Sequence, residues 1–238
     1  MLEITECIII GGGKSILEGL NYPSKTSLQT LCATKFVIGC NYAYQNFPCT
    51  FTAFQDRDWY HGRPNDKGIF ENPNVYDSLK ELPLIIGINH NGVEEFKLDN
   101  TLLLDKKEKE NLTGVFALKL ALRLIKIGTI FLLGFDWTRR VGLPERDPNY
   151  NPKTNVPTHY YNNINHRGIG YVGYYENHNA DRDFNKLIKK DTLKIYNVSP
   201  ESNIDCFEKI SYQKFYELLS PEIADQDNLR EEIRLKNS

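Results

Sequence analysis

Apolar residues in this chain come in short unbroken runs, and no other feature narrows the fold as much. Cys7–Ile10, Phe36–Cys40, Phe51–Phe54, Leu84–Ile88, Thr129–Leu133 and Leu193–Val198 are rich in Ile, Val, Leu and Phe and do not alternate with polar residues. A strand wetted on one face alternates. An unbroken run suits a strand covered on both faces, as in a parallel sheet. Helical stretches lie between some of the runs. In Val115–Lys126, Lys119, Arg123 and Lys126 fall at i, i+4 and i+7, a single solvated stripe that leaves a broad apolar face. Asp181–Lys190 is a second expected helix. Strand-helix alternation predicts an α/β fold with a doubly wound, mostly parallel, Rossmann-like sheet.

At ~100–200 residues per domain, the 238 residues make one large domain or two small ones. The spacing of the runs favours a single domain over residues 1–219, carrying an insertion at 138–179 and followed by a charged tail or helix at 220–238. Hydrophobic residues are 40% and charged residues 25% of the chain, which excludes a disordered polymer. Lys and Arg number 29 against 31 Asp and Glu, a net charge of −2. That argues against a surface that tracks nucleic acid throughout, while a local basic groove stays compatible. The five cysteines show no CxxC or CxxH spacing, so neither a disulfide framework nor a structural zinc site is expected. The N-terminal apolar stretch lacks a basic flank and is too short for a signal peptide or a membrane span. A cytoplasmic protein without a membrane span is expected.

Residues 138–179 break the pattern. They are rich in Tyr, Asn, Pro, Gly and Arg and include Arg139, Arg140, His159, Tyr160, Tyr161, His166, Arg167 and His178. So long a connection is usually functional, and it reads as a lid over a pocket, with a plain surface insertion as the alternative. His166-Arg167 within it suits a phosphate or a sugar carboxylate.

The first run leads directly into Gly11-Gly12-Gly13-Lys14-Ser15, with a helix expected at Ile16–Leu20. Consecutive glycines permit a sharp turn and a close backbone approach to a ligand. A helix starting at Lys14 or Ser15 offers free N–H groups to an anion, and Ser15 is placed to cap it. The stretch is neither GxGxxG nor a P-loop, whose first glycine would fall at Ile8. Open α/β sheets bind ligands beyond the carboxyl ends of their strands. Asn41 follows the second run, Gln55, Asp56, Arg57 and Asp58 the third, Asn89, His90 and Asn91 the fourth, and Gly134, Phe135 and Asp136 the fifth. Thr113-Gly114 precedes the Val115 helix, where the hydroxyl suits a cap or a phosphate neighbour.

Together these residues resemble an arrangement shared by two related families. Gly-Gly-Gly-Lys-Ser-Ile after a strand is similar to the strand-GxGPSL opening of the glycosyltransferase family 42 sialyltransferases and of the MptE-like (6-hydroxymethylpterin diphosphokinase-like) proteins. The resemblance continues at Val37–Asn41, at Asn111–Val115 through Leu133-Gly134-Phe135-Asp136, at His178–Asp181 and at Ser199-Pro200-Glu201-Ser202, touching most of residues 6–216.

Likeness to the sialyltransferases implies a nucleotide-sugar donor, a CMP-sugar in that family, held by Gly11, Gly12, Gly13, Asn41, Thr113 and Gly114. It implies His178 as general base on an acceptor hydroxyl. Those enzymes hold the leaving phosphate with tyrosines after the Gly-x-Asp strand. Here Trp137-Thr138-Arg139-Arg140 follows, so Arg139 would bind the phosphate, with Tyr160 or Tyr161 in support. Lys14 and Ser15 lie beside the phosphate in this reading, and Asp136 and Arg167 join His178 as candidate catalytic residues. The acceptor is a glycan or small molecule, and a homo-oligomer is compatible with the sequence. The MptE-like alternative implies ATP and Mg²⁺, with Asp56, Asp58 and Asp136 as oxygen ligands. A third reading is a non-catalytic protein that sequesters or senses its nucleotide.

Overall fold

A computed structural model describes residues 4–61, 73–90, 97–136, 180–188 and 192–237. The apolar runs form the sheet. Strands β1 (Glu6–Ile10), β2 (Val37–Cys40), β3 (Phe51–Phe54), β4 (Ile85–Ile88), β5 (Thr101–Leu104), β6 (Gly128–Leu133), β7 (Leu193–Asn197) and β8 (Glu208–Lys209) lie in the order β5-β4-β3-β2-β1-β6-β7-β8. Every pairing is parallel.

Helices cover both faces of the sheet. They are α1 (Ile16–Asn21), α2 (Leu28–Thr34), α3 (Arg57–His61), α4 (Pro73–Lys80), α5 (Thr113–Leu124), α6 (Ala180–Asn185), α7 (Tyr212–Leu218) and α8 (Gln226–Asn237). Two-sided cover explains the unbroken apolar runs. Cys7 and Ile9 of β1 pack with α5, Phe184 of α6 and the α8 residues Leu229 and Ile233. Their neighbours Ile8 and Ile10 point the other way, toward Ile16, Leu31 and Phe215 of α1, α2 and α7. A third cluster, with Phe54 and Ile85 against Trp59, Tyr60 and Leu79, seats α3 and α4.

Several boundaries differ from the sequence reading. Helix α5 begins two residues before Val115 and ends at Leu124, where Ile125 turns extended and its N–H still bonds Ala121 O. Its successor α6 ends at Asn185 rather than Lys190. Strands β5 and β8 were not expected. The first is an edge strand with Leu102 and Leu103 only partly covered, and the second is two residues long.

At the amino ends of the strands the chain segment ending in α8 runs beneath β2, β3 and β4. Lys35, almost fully buried, pairs with Glu6 at 3.0 Å and donates to the carbonyls of Ser220 and, at 2.8 Å, Glu222. Glu6 Oε1 meets Lys35 as an ion pair without hydrogen-bond alignment, while Oε2 accepts from Ser220 N–H at 2.8 Å. Ala224 N–H donates to Thr34 O at 2.8 Å and the Gln226 amide to Lys35 O at 2.6 Å. Thr50 Oγ1 donates to Gln226 Oε1 at 2.7 Å, and Arg230 and Arg234 donate to the carbonyls of Thr50 and Pro83.

Candidate functional site

The strand order reverses direction between β1 and β6. From β1 the chain builds outward to β5, then returns to lay β6 on the other side of β1. Such a reversal leaves a crevice at the carboxyl ends of the two strands, the usual ligand position in open α/β sheets. Gly11–Ser15 occupies the β1 side and Gly134-Phe135-Asp136 the β6 side. Gly11 N–H donates to Leu133 O at 2.8 Å and Gly13 N–H to Gly134 O at 2.8 Å, so the loop follows the end of β6 before α1 begins.

That contact explains two of the glycines. A Cβ on Gly11 would stand 2.6 Å from Gly134 O, and one on Gly13 would stand 2.6 Å from the Asp136 carboxylate. Neither position tolerates a side chain, so the chain's own β6 turn, independently of any ligand, demands glycine at both. Gly114 is alike. Its Cβ would meet the Phe135 ring at 2.5 Å, which brings the start of α5 down onto the same turn.

Asp136 is buried beneath the loop. Its Oδ2 accepts from Ser15 N–H at 2.8 Å, and Oδ1 accepts from the hydroxyls of Ser15 and, at 3.1 Å, Ser199. Charge-assisted bonds of this kind are roughly twice as strong as neutral ones, so Asp136 fastens the glycine loop to β6. Ser15 accordingly does not cap α1: its backbone is already helical and its hydroxyl is turned to Asp136. Beneath Asp136 the Asn197 amide donates to Phe135 O at 3.0 Å and to Ser202 Oγ at 2.9 Å, and Ser202 Oγ donates to Phe135 O at 2.7 Å. Asn197 was not singled out from the sequence. The signal was there, since it is the polar residue next to the end of the apolar run Leu193–Val198, where Lys194 is the other polar one. Tyr212 on α7 stands near the same carboxylate, and burial first, then the Asp136 and Glu18 charges, pushes its phenol well above its ordinary pKa.

Asn41 stands at the carboxyl end of β2. Its φ of 51° puts it in the left-handed region, and its Oδ1 is buried without a hydrogen-bond partner among the described residues. Asparagine tolerates this backbone better than most residues, yet the conformation still costs energy. Thr113 opens α5, and no side chain caps that helix: the capping position is Leu112. Among the described residues no side chain therefore meets the first N–H groups of this twelve-residue helix, which starts beside Phe135. Lys14 is partly buried and has no ion-pair partner among the described residues.

Asp56 lies beyond β3 and is exposed. No cluster of three or more His, Cys, Asp or Glu side chains with metal-binding geometry occurs among the described residues. Asp181 accepts from the N–H groups of Asp205 and Cys206 at 2.8 Å each. Asp183 is buried; burial alone would raise its pKa, but bonds from Asn111 and Lys186 hold it below its usual value. Gly11, Gly13, Lys14, Ser15, Asn41, Thr113, Gly114 and Asp136 thus gather around the β1/β6 crevice and the neighbouring end of β2, with Gly12 between its two fixed neighbours. Arg139, Tyr161, Arg167 and His178, together with the expected lid at 138–179, lie outside the described residues.

Among the described residues no helix is long and apolar enough to cross a membrane. No family model matches the chain, and no curated protein matches it. Among solved structures it is similar to the sialyltransferase CstII from Campylobacter jejuni, determined in complex with a substrate analogue, cytidine-5'-monophosphate. The TM-score is 0.50 at 16% identity, covering 89% of this chain and 86% of that one. The chain therefore shares its α/β fold with that structure.

Proposed function

We propose that the chain is a nucleotide-binding transferase that takes a nucleotide-sugar donor of the CMP-sugar type and passes the sugar to a hydroxyl of a glycan or small-molecule acceptor. Asn41 carries this reading. A residue held at φ 51° with a buried acceptor oxygen that has no hydrogen-bond partner among the described residues is strained and, within them, unsatisfied. Such a combination persists where a ligand supplies the missing donor, here a hydroxyl or amino group of the nucleotide-sugar. The uncapped start of α5 and Lys14 suit the donor's phosphate. The fold shared with a CMP-bound sialyltransferase agrees with both.

In this reading Gly11–Gly13, Lys14, Ser15, Asn41, Thr113 and Gly114 form the donor cradle, and Asp136 holds the cradle to β6. His178 takes the proton of the acceptor hydroxyl as that oxygen bonds to the anomeric carbon. The bond from that carbon to the phosphate oxygen breaks, and Arg139, Arg167 and Tyr161 stabilise the departing phosphate. Calorimetric titration with CMP-, UDP- and GDP-sugars and with ATP, each with and without Mg²⁺, tests the proposal. Binding of a CMP-sugar without Mg²⁺, weakened in Asn41→Ala, is expected. Binding of ATP alone, dependent on Mg²⁺ and indifferent to Asn41, would overturn it in favour of pyrophosphoryl chemistry.

A further inference from the structure

One titratable side chain at the carboxyl edge has no part in the donor cradle. His90 follows β4, two residues past Ile88, and is partly buried. Its Nε2 bonds the main-chain carbonyl of Gln55. A carbonyl only accepts, so Nε2 carries the proton, and in the neutral ring Nδ1 is left as an acceptor. Nδ1 has no partner among the described residues. The support behind the ring is rigid. Gln55 is buried at the end of β3, and its Oε1 accepts from Glu110 N–H at 2.6 Å, just before α5. The ring is thereby fixed to two strand ends and to the approach to α5, with one nitrogen unbonded among the described residues.

Its place along the sheet says what it meets. In the order β4-β3-β2-β1, His90 stands three strand spacings from the glycine loop. At about 4.8 Å per spacing that is roughly 14 Å. A donor whose phosphate lies at the β1/β6 crevice and which passes Asn41 sends one of its two ends, nucleoside or sugar, toward β3 and β4. We infer that His90 is a specificity-determining residue of the site, its Nδ1 accepting a hydrogen bond from a hydroxyl of the donor sugar. This rests on the nucleotide-sugar reading above and adds a sugar contact on β4 to it.

Two variants separate a recognition role from a merely structural one. His90→Gln places an amide N–H near the position of Nε2 and keeps the bond to Gln55 O, but removes the Nδ1 acceptor. His90→Asn places its amide near Nδ1 and gives up the Gln55 bond. Titrations compare each free nucleotide (CMP, UDP, GDP) with its sugar conjugate. Free-nucleotide affinity should be unchanged in His90→Gln, and its thermal midpoint should match the wild type. Affinity for the sugar conjugate should fall by roughly 3–10-fold, the worth of one neutral hydrogen bond. His90→Asn should lose thermal stability and keep more of the sugar affinity. Equal affinity of wild type and His90→Gln for a sugar conjugate that wild type binds overturns the inference and leaves the donor-site reading intact. If wild type binds no sugar conjugate, both fall together.

Discussion

The two edges of this sheet are finished in opposite ways. At the amino edge, where α8 and the segment before it cross beneath β2, β3 and β4, most polar groups are met: Lys35 has Glu6 and two carbonyls, Thr50 Oγ1 donates to Gln226, and Gln226, Arg230 and Arg234 donate to the carbonyls of Lys35, Thr50 and Pro83 just before those strands. At the carboxyl edge the chain leaves groups open. Asn41 Oδ1 and Asn197 Oδ1 are buried without partners among the described residues, α5 starts without a cap, and Asn41 is held in the left-handed region. A folded chain gains nothing by itself from buried unmet acceptors, each of which costs about 1–3 kcal/mol. One edge is therefore fastened, while the other leaves acceptors unmet among the described residues, where the proposed donor would lie. Within the carboxyl edge Asp136 is the exception, since its carboxylate is fully engaged in fixing the glycine loop.

The sharpest way to break the comparison is to remove the amino-edge strap. Ending the chain after Leu219 deletes the buried Leu229 and Ile233, takes from Lys35 its two carbonyl acceptors and takes from Thr50 its Gln226 acceptor. The two apolar side chains alone contribute about 2–5 kcal/mol each, a large share of a typical domain's stability, so the truncated chain should not fold. Circular dichroism would show this, and a cooperative melt near the full-length midpoint would contradict it. Lys35→Met is milder: it leaves the Glu6 carboxylate buried without its cation and should cost about 3–5 kcal/mol in urea denaturation. Nucleotide affinity of the folded fraction should not change, because Lys35 lies at the opposite edge.

For the proposed transfer reaction the same order of energy should appear in rate instead of stability. His178→Ala should lower sugar transfer by about 10²–10⁴-fold, with donor affinity and melting midpoint close to wild type, as steady-state assay and calorimetry would measure. Unchanged turnover would remove His178 from the mechanism. The smallest effect is the most diagnostic. Asn41→Gly removes the left-handed strain and the unmet oxygen together, so the protein should be unchanged or more stable by about 0.5–1 kcal/mol. Donor affinity should nevertheless fall about 10-fold. A variant that loses stability without losing affinity would make Asn41 a structural residue and erase the contrast between the edges.

The runs Cys7–Ile10, Phe51–Phe54 and Thr129–Leu133 were legible as buried parallel strands because two-sided cover imposes an unbroken apolar pattern that local sequence alone can display. Gly11–Gly13, Asn41, Thr113-Gly114 and Asp136 could likewise be picked out, since each stands directly after a strand or before a helix. Their reasons were not legible. Gly11 and Gly13 face Gly134 and Asp136, more than a hundred residues away in the chain, and only the β1/β6 pairing brings those atoms within 2.6 Å of a would-be Cβ. Ser15 reads locally as a helix cap, but tertiary structure hands its hydroxyl to Asp136 because a buried carboxylate outcompetes a helix end for a donor. The highly charged 220–238 stretch shows few apolar residues, and the two that matter, Leu229 and Ile233, fall one helical turn apart. Their burial, and the bonds of Lys35 and Thr50 to this segment, depend on where the amino ends of β2, β3 and β4 come to lie. Sequence thus determined which segments are strands and which residues end them, through burial and turn chemistry acting over a few residues. Which of those ends is fastened and which is left open was decided by contacts between segments far apart in the chain.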